Sequence, residues 1–356
     1  METLCRMWLS TADGLTRTAQ RYLKEKYQSA EAFFRDFSGE HRKILGDKCF
    51  QILKDAKDRG LLYIPRQLQA IGARVVSKGE AGYPGALAPL PDSPDLLYIL
   101  GEMPKGTNIA MVGSRHDTRY GREMAFKIAR DLSDAGVSVV SGLARGIDTA
   151  SHRGALAGRG QTVAVLGCGL DIVYPPENKD LLKQILDKGG AAVSEYPPGT
   201  PPMPYHFPLR NRIISGLSEG VLLIEATQRS GTMSTVNHAL NQGKTVFALP
   251  GNVDSPGSEL PLQLLREGAE MCTCALDILQ YFHIDPKEND APAGADSRQE
   301  PSDDPILRAL FREEKTFDEL SAESGLNPAE LSARLSELEL DGKVEKCAGR
   351  TWTLVR

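Results

Sequence analysis

Short apolar runs in this chain end repeatedly in small residues, twice with an arginine close behind. Gly113-Ser114-Arg115 follows one run, Ser141-Gly142 with Arg145-Gly146 another, Gly167-Cys168-Gly169 a third, and Ser230-Gly231 comes after a later one. Glycine lets a phosphate come against the backbone, and amides at the start of a following helix donate hydrogen bonds to it. Lys179, after Tyr174-Pro175-Pro176-Glu177-Asn178, and Arg210-Asn211-Arg212, after Pro204-Tyr205-His206-Phe207-Pro208, add positive charge. Arg210 and Arg212 cannot share a helix face, so one is available to phosphate and the other to a structural carboxylate. Tyr174 and Phe207 offer flat surfaces on which bases could stack, at about 1–3 kcal/mol per base. Tight turns would explain each glycine taken singly, and a core position either ring. Several glycines converging on one edge favour a phosphate-binding rim.

Catalytic groups are harder to assemble. Asp148 and His152 lie four apart on an expected helix and face one side, as a base with its orienter or, more in keeping with their setting, as a buried structural pair. Glu195 and Glu225 follow strands and could act as acid or base. No nucleophile completes a set. The six cysteines form no C-x-x-C pair, so no metal is expected. Neither G-x-G-x-x-G with a ribose-binding acid nor G-x-x-x-x-G-K-[ST] is present, which argues against a dinucleotide cofactor or a Walker-type ATPase. The expectation is a binding protein without cofactor rather than an enzyme.

The elements that must position these residues are legible from residue 108 onward. The runs at 109–112, 137–140, 162–166, 191–193, 221–224 and 245–249 are nearly continuously apolar rather than alternating, as in strands covered on both faces. Helical stretches alternate with them, at 121–135, 148–157 and 234–242. This rhythm predicts an α/β fold, a Rossmann-like doubly wound, mostly parallel sheet running to about Cys274, whose ligands sit at the carboxyl ends of the strands. Residues 1–70 read as a helical domain, with helices over 14–26 and 42–58, faintly like a helix-hairpin-helix or SAM-like module but lacking the second glycine of the hairpin. Residues 71–283 form the core with its extension, entered through a proline-rich connector that holds a strand at 96–100. The stretch 284–304 reads as an acidic linker, and 305–356 as a winged helix in which Leu331, Leu335 and Leu338 share one stripe.

Composition bounds the setting. The chain is 41% hydrophobic and 25% charged, with no apolar run of signal-peptide or membrane-span length, so a cytoplasmic protein is expected. The net charge of −5 taken alone argues against a nucleic-acid partner, but the acidic linker accounts for all of it, and a neutral fold can still carry a basic groove.

Six segments in order resemble the DprA/Smf family: IAMVGSR (109–115), VVSGLARGIDTASHRGAL (139–156), TVAVLGCGLDIVYPPENKDLL (162–182), SEYPPGT (194–200), FPLRNRIISGLS (207–218) and VFALPGNVDSPGS (246–258). The resemblance covers about half the chain. It implies a protein that binds single-stranded DNA during natural transformation, displaces single-strand-binding protein and loads RecA recombinase. It also implies a phosphate pocket made by Arg115, the loop 141–146, Lys179, Arg210 and Arg212, and a homodimer formed through the late Rossmann region, with RecA docking nearby. Leu262, Leu264 and Leu265 are the apolar candidates for those contacts. Two stretches depart from the family pattern, Ser230-Gly231-Thr232-Met233-Ser234-Thr235 and the longer run 255–269, and the second puts the dimer and RecA surfaces in doubt. The third helix of the tail carries Glu330, Glu337, Glu339 and Asp341 against Arg334, which opposes a duplex-reading role and suggests protein contact or regulation. The competing reading is a nucleotide or nucleotide-sugar hydrolase of the LOG type, whose P-G-G-x-G-T-x-x-E motif is absent.

Overall fold

The computed structural model describes residues 1–228, 230–285, 304–310, 315–346 and 351–354. The chain divides into two compact units, Met1–Lys287 and Glu288–Arg356. Most of the acidic stretch read as a linker, and the tip of the C-terminal hairpin at Ala348-Gly349, lie outside the described residues.

The first unit opens with helices α1 (Glu2–Ser10), α2 (Arg17–Lys26), α3 (Ala30–Asp36), α4 (Arg42–Leu45), α5 (Asp47–Arg59) and α6 (Tyr63–Ile71). Thr16 and Ser29 cap α2 and α3 by accepting the backbone N–H three residues on. The single helix expected over 42–58 is broken by Gly46, whose φ of 78° no helix accommodates. Trp8, Phe33, Leu45, Phe50 and Leu53 form a local core. The helices are not isolated from the sheet. Met7, Ile64 and Leu68 pack with Tyr98 and Leu166, and the Ser10 hydroxyl lies 2.8 Å from that of Tyr98.

The sheet contains β1 (Ala73–Ser77), β2 (Leu96–Gly101), β3 (Asn108–Val112), β4 (Ser138–Ser141), β5 (Thr162–Leu166), β6 (Ala191–Ser194), β7 (Gly220–Leu223), β8 (Thr245–Ala248) and β9 (Glu270–Met271). Their order is β1-β2-β6-β5-β4-β3-β7-β8-β9. From β6 to β9 all pairs are parallel, while β2 runs antiparallel to β1 and to β6. The connecting helices are α7 (Arg119–Asp134), α8 (Ile147–Ala157), α9 (Lys179–Asp187), α10 (His206–Gly216), α11 (Thr232–Asn241), α12 (Glu259–Arg266) and α13 (Ala275–Tyr281).

Alternate residues of each strand serve opposite faces. Ala110, Val112 and Val140 pack against α10, α11 and α12, whereas Ile109, Met111 and Val139 pack against α7, α8 and α13. The mostly parallel, doubly wound architecture is therefore present. The chain moves from β3 outward through β4, β5 and β6, then returns to β7 on the other side of β3, so the topological switch point lies between β3 and β7.

The second unit comprises α14 (Pro305–Ala309), β10 (Lys315–Thr316), α15 (Phe317–Ser324), α16 (Pro328–Leu340), β11 (Val344–Lys346) and β12 (Thr351–Leu354), with sheet order β10-β12-β11. Leu331, Leu335 and Leu338 are buried together with Ile306, Leu320 and Trp352, as the stripe predicted.

The core does not stop at Cys274. Ile278 and Leu279 of α13 are buried against α7. Truncation after Cys274 should expose that face and destabilise the unit by at least about 3 kcal/mol, from two buried aliphatic side chains at about 1.5–3 kcal/mol each. Truncation after Lys287 should leave its thermal unfolding unchanged, and calorimetry of both truncations decides the point.

Candidate nucleic-acid interface

The loop after β4, residues 142–146, is the most constrained stretch of the strand-end surface. Leu143 is fully buried and adopts φ 56°, a strained conformation for a residue with a side chain. It persists because neighbouring groups bond the loop on every side. The carbonyl of Gly142 accepts from Arg210 Nη1 at 2.9 Å, and its N–H donates to Asp148 Oδ2 at 3.1 Å. The Ala144 N–H reaches the same oxygen at 3.3 Å. The carbonyl of Leu143 accepts from Asn178 Nδ2 at 2.9 Å, and that of Ala144 from the Thr149 hydroxyl at 2.7 Å. A Cβ on Gly142 would meet Arg210 Nη2 at 2.6 Å and Asp148 Oδ2 at 2.7 Å, so the loop is sandwiched between opposite charges. Burial pushes the Asp148 carboxyl up against the pull of Arg210, and burial lowers the Arg210 guanidinium to about 10 against the pull of Asp148.

The loop after β3 rests on this one. The Ile147 N–H donates to the Ser114 carbonyl at 3.1 Å, and a Cβ on Gly146 would stand 2.9 Å from the Arg115 carbonyl carbon. Arg115 is thereby directed outward, with its guanidinium carbon 5.4 Å from the centre of the Phe207 ring. Tyr174 lies on the same ring, 5.5 Å between centroids. Arg145, from the β4 loop, pairs with Glu177, and both are about half exposed. Lys179 is exposed at the start of α9, next to the Asn178 that binds the β4 loop. Arg115, Arg145, Tyr174 and Phe207 thus form one connected cluster at the carboxyl ends of β3, β4 and β5, with Lys179 beside its anchoring asparagine.

Several expected contacts are corrected. Arg210 is 3% exposed and turned inward, donating to the carbonyls of Gly142 and Val165, so it positions the loop and presents no face to a ligand. Arg212 makes a two-pronged pair with Glu195 at 2.7 and 2.6 Å, which is the structural-carboxylate role. Asn211 donates to the Ser234 hydroxyl at 2.7 Å. The three consecutive residues therefore brace α10 in three directions. Ser141 is buried and donates to the Met111 carbonyl, and Gly142 is buried beside it. Gly169 is buried, and a Cβ there would sit 2.8 Å from the Pro197 carbonyl oxygen. Gly113 likewise has Ile147 2.7 Å from where its Cβ would be. These glycines let loops stack on one another rather than admit phosphate. Gly231 differs, with open space around it at the start of α11, while Ser230 hydrogen-bonds Thr232, which in turn donates to the Gly113 carbonyl. Leu264 is buried in the core and Leu262 and Leu265 are partly buried, so Leu264 offers nothing to a partner.

The carboxylates with catalytic potential are engaged. Glu225 is buried at the N-terminus of α7, accepting from the Thr118 N–H at 2.9 Å and its hydroxyl at 2.5 Å. That terminus beside the switch point, where a nucleotide phosphate would sit in a dinucleotide-binding fold, is filled by the chain's own anion. Glu195 is held by Arg212. Asp148 does not pair with His152, whose Nδ1 lies 2.8 Å from the Thr162 hydroxyl and whose Nε2 has no hydrogen-bond partner among the described residues. Among the described residues no group of three or more His, Cys, Asp or Glu could hold a metal ion, and no helix is long and apolar enough to cross a membrane. Asn178 and the inward Arg210 escaped the sequence reading, because a motif's spacing does not tell which of its members turns toward the chain. The only hint was Asn178's place directly before Lys179.

Two outcomes follow. Arg210→Met should destabilise the unit by about 3–5 kcal/mol, because it leaves Asp148 and two carbonyls buried without their partner, whereas Arg115→Ala should change stability by no more than about 0.5 kcal/mol; urea unfolding measures both. Burial lowers His152 to about 3 from 6.5, so below pH 6.5 the unfolded chain takes up a proton that the folded chain refuses. Stability should therefore fall by up to about 1.4 kcal/mol per pH unit through that window from this group. The slope should flatten in His152→Gln when unfolding is followed from pH 7 to 4.5.

The sequence model of the family DNA recombination-mediator protein A matches residues 74–283, and that of the DprA winged helix domain matches residues 289–350. Protein Smf of Escherichia coli (strain K12) is 40% identical over 278 residues, covering 75% of this chain and 74% of that protein. Among solved structures, DNA processing protein A from Streptococcus pneumoniae superposes with a TM-score of 0.61 at 34% identity, over 77% of this chain and 95% of that one. DNA processing protein A from Helicobacter pylori, solved for its single-stranded DNA binding mode, gives a TM-score of 0.53 at 28% identity, over 59% of this chain and 95% of that one.

Proposed function

The chain belongs to the DNA recombination-mediator protein A family, whose members include DNA-processing proteins, and from that premise we propose that it binds single-stranded DNA along the rim formed by Arg115, Arg145, Tyr174, Phe207 and Lys179. The observation that carries this reading is the Arg115 guanidinium over Phe207, with Tyr174 against the same ring. A cation beside two mutually tilted rings, Tyr174 exposed and Phe207 half-buried, suits a phosphate and its neighbouring base, with little preference among bases. The binding mode named for the Helicobacter pylori relative supports the same ligand.

The reading extends to a mediator that loads RecA recombinase, displaces single-strand-binding protein and works as a homodimer during natural transformation; family membership is its support. A binding role without catalysis is favoured over the hydrolase alternative, because Glu195, Glu225 and Asp148 are each committed to the fold. In the winged helix, Arg334 of α16 pairs with Asp304 at 2.8 Å and Glu337 at 2.7 Å, leaving an acidic helix better suited to a protein contact than to duplex DNA.

Titration of labelled oligo-dT at several salt concentrations tests the rim. Arg115→Glu and Lys179→Glu should each weaken binding at least about tenfold and flatten the salt dependence by about 0.7 in slope per lost phosphate contact. Phe207→Ala should cost about 1–3 kcal/mol. Arg130→Glu, at the far end of α7, should behave as wild type. Equal affinities across all four variants would refute the reading, and release of base or phosphate from a mononucleotide would revive the hydrolase.

A further inference from the structure

Between the N-terminal helices and the loop from β6 to α10 lies a cleft of about 480 Å³ that the rim does not use. Its volume falls within the range of small-molecule sites, about 300–1,000 Å³. Lys48, Arg59, Tyr63 and Gln67 line the helical wall, and Met203 and Tyr205 line the other. Both tyrosine rings are 41% exposed, and the Arg59 guanidinium lies 5.2 Å from the centre of the Tyr63 ring. Neither Lys48 nor Arg59 makes an ion pair among the described residues.

The two acids in the lining are already engaged. Asp13 Oδ2 accepts from the Tyr205 hydroxyl at 2.6 Å and lies 2.7 Å from His206 Nε2, and Asp55 accepts from Gln51 at 2.7 Å. Gln67 donates to the Tyr63 hydroxyl at 3.4 Å, but its Oε1 is buried and has no hydrogen-bond partner among the described residues. The cleft thus sets Lys48 and Arg59 against the carboxylates of Asp13 and Asp55 and presents the exposed faces of Tyr63 and Tyr205. Arg59 over the Tyr63 ring repeats the pairing of Arg115 over Phe207 at the rim, and the same kind of ligand, a base with its phosphate, fits it. A peptide seldom offers a negative charge and a flat ring together.

The cleft and the rim draw on one stretch of chain, since Tyr205 stands two residues before Phe207 at the turn into α10. We propose that the cleft seats a further nucleotide of the same single strand, its base against Tyr63 or Tyr205 and its phosphate near Arg59. This rests on the rim reading and lengthens the DNA track across the junction of helices and sheet.

The test compares oligo-dT of about 6 nucleotides, enough for the rim, with one of about 20, against the full-length protein. Arg59→Glu and Tyr63→Ala, both surface changes checked by thermal unfolding, should weaken the long oligomer about tenfold and the short one less than about twofold. Arg59→Lys should restore most of the loss. An oligomer carrying iododeoxyuridine should photocross-link to Tyr63 or Tyr205, mapped by mass spectrometry. If Arg115→Glu abolishes short-oligomer binding while the cleft variants match wild type on the long oligomer and no cross-link forms, the rim stands and the cleft assignment is overturned. If Arg115→Glu leaves the short oligomer bound, the rim reading itself has failed. Wild-type oligomer affinities together with an acidic-peptide affinity that the cleft variants abolish would assign the cleft to a protein and overturn the proposal.

Discussion

Everything at the strand-end surface depends on a buried pair of opposite charges with a glycine between them. Arg210 and Asp148 grip Gly142 from two sides, bonding its carbonyl and its N–H respectively. With the grip in place Leu143 can hold φ 56° and insert its side chain into the core, and Gly146 can lie against the Ser114-Arg115 backbone. The outward arginine is thus carried by the inward one. Such an arrangement is costly to assemble and rigid once assembled, since a buried charge that loses its partner has no solvent to replace it. Rigidity is useful to a flexible ligand, because the site contributes no ordering entropy of its own when a strand docks.

The same economy of charge shapes the switch point. In dinucleotide-binding folds the first helix after the first parallel strand of the core offers its N-terminus to a pyrophosphate. Here Glu225 occupies that position from within, bonded to Thr118. The fold keeps the scaffold and forgoes the mononucleotide pocket, while the positive groups move to the exposed ends of β3, β4 and β5.

Much of this was legible in the residues, and the failures are instructive. Strands covered on both faces read clearly, because runs such as Val163 to Leu166 are apolar on both faces instead of alternating. The leucine stripe of α16 read equally well. The strand β1 and the break at Gly46 did not, since an edge strand has weak apolar signal and a single glycine within a helical pattern is ambiguous. At the site, the sequence names residue types but not the directions in which they turn. Arg210 and Arg115 carry the same chemistry, and only packing decides that one is 3% exposed while the other is exposed. The glycines misled for a related reason: space for a phosphate and space for a neighbouring loop leave the same mark on a sequence.

One detail of the rim alters how its ion count should be understood. Arg145 already holds an anion, the carboxylate of Glu177. A phosphate that takes Arg145 therefore displaces a tethered group instead of relying on a cation fresh from solvent. The freed glutamate remains nearby as a local repellent, and the exchange gains less than an open arginine would provide. The chain so carries its own competitor for the strand, one whose effective concentration dilution cannot lower. A built-in rival of this kind keeps each step of attachment shallow.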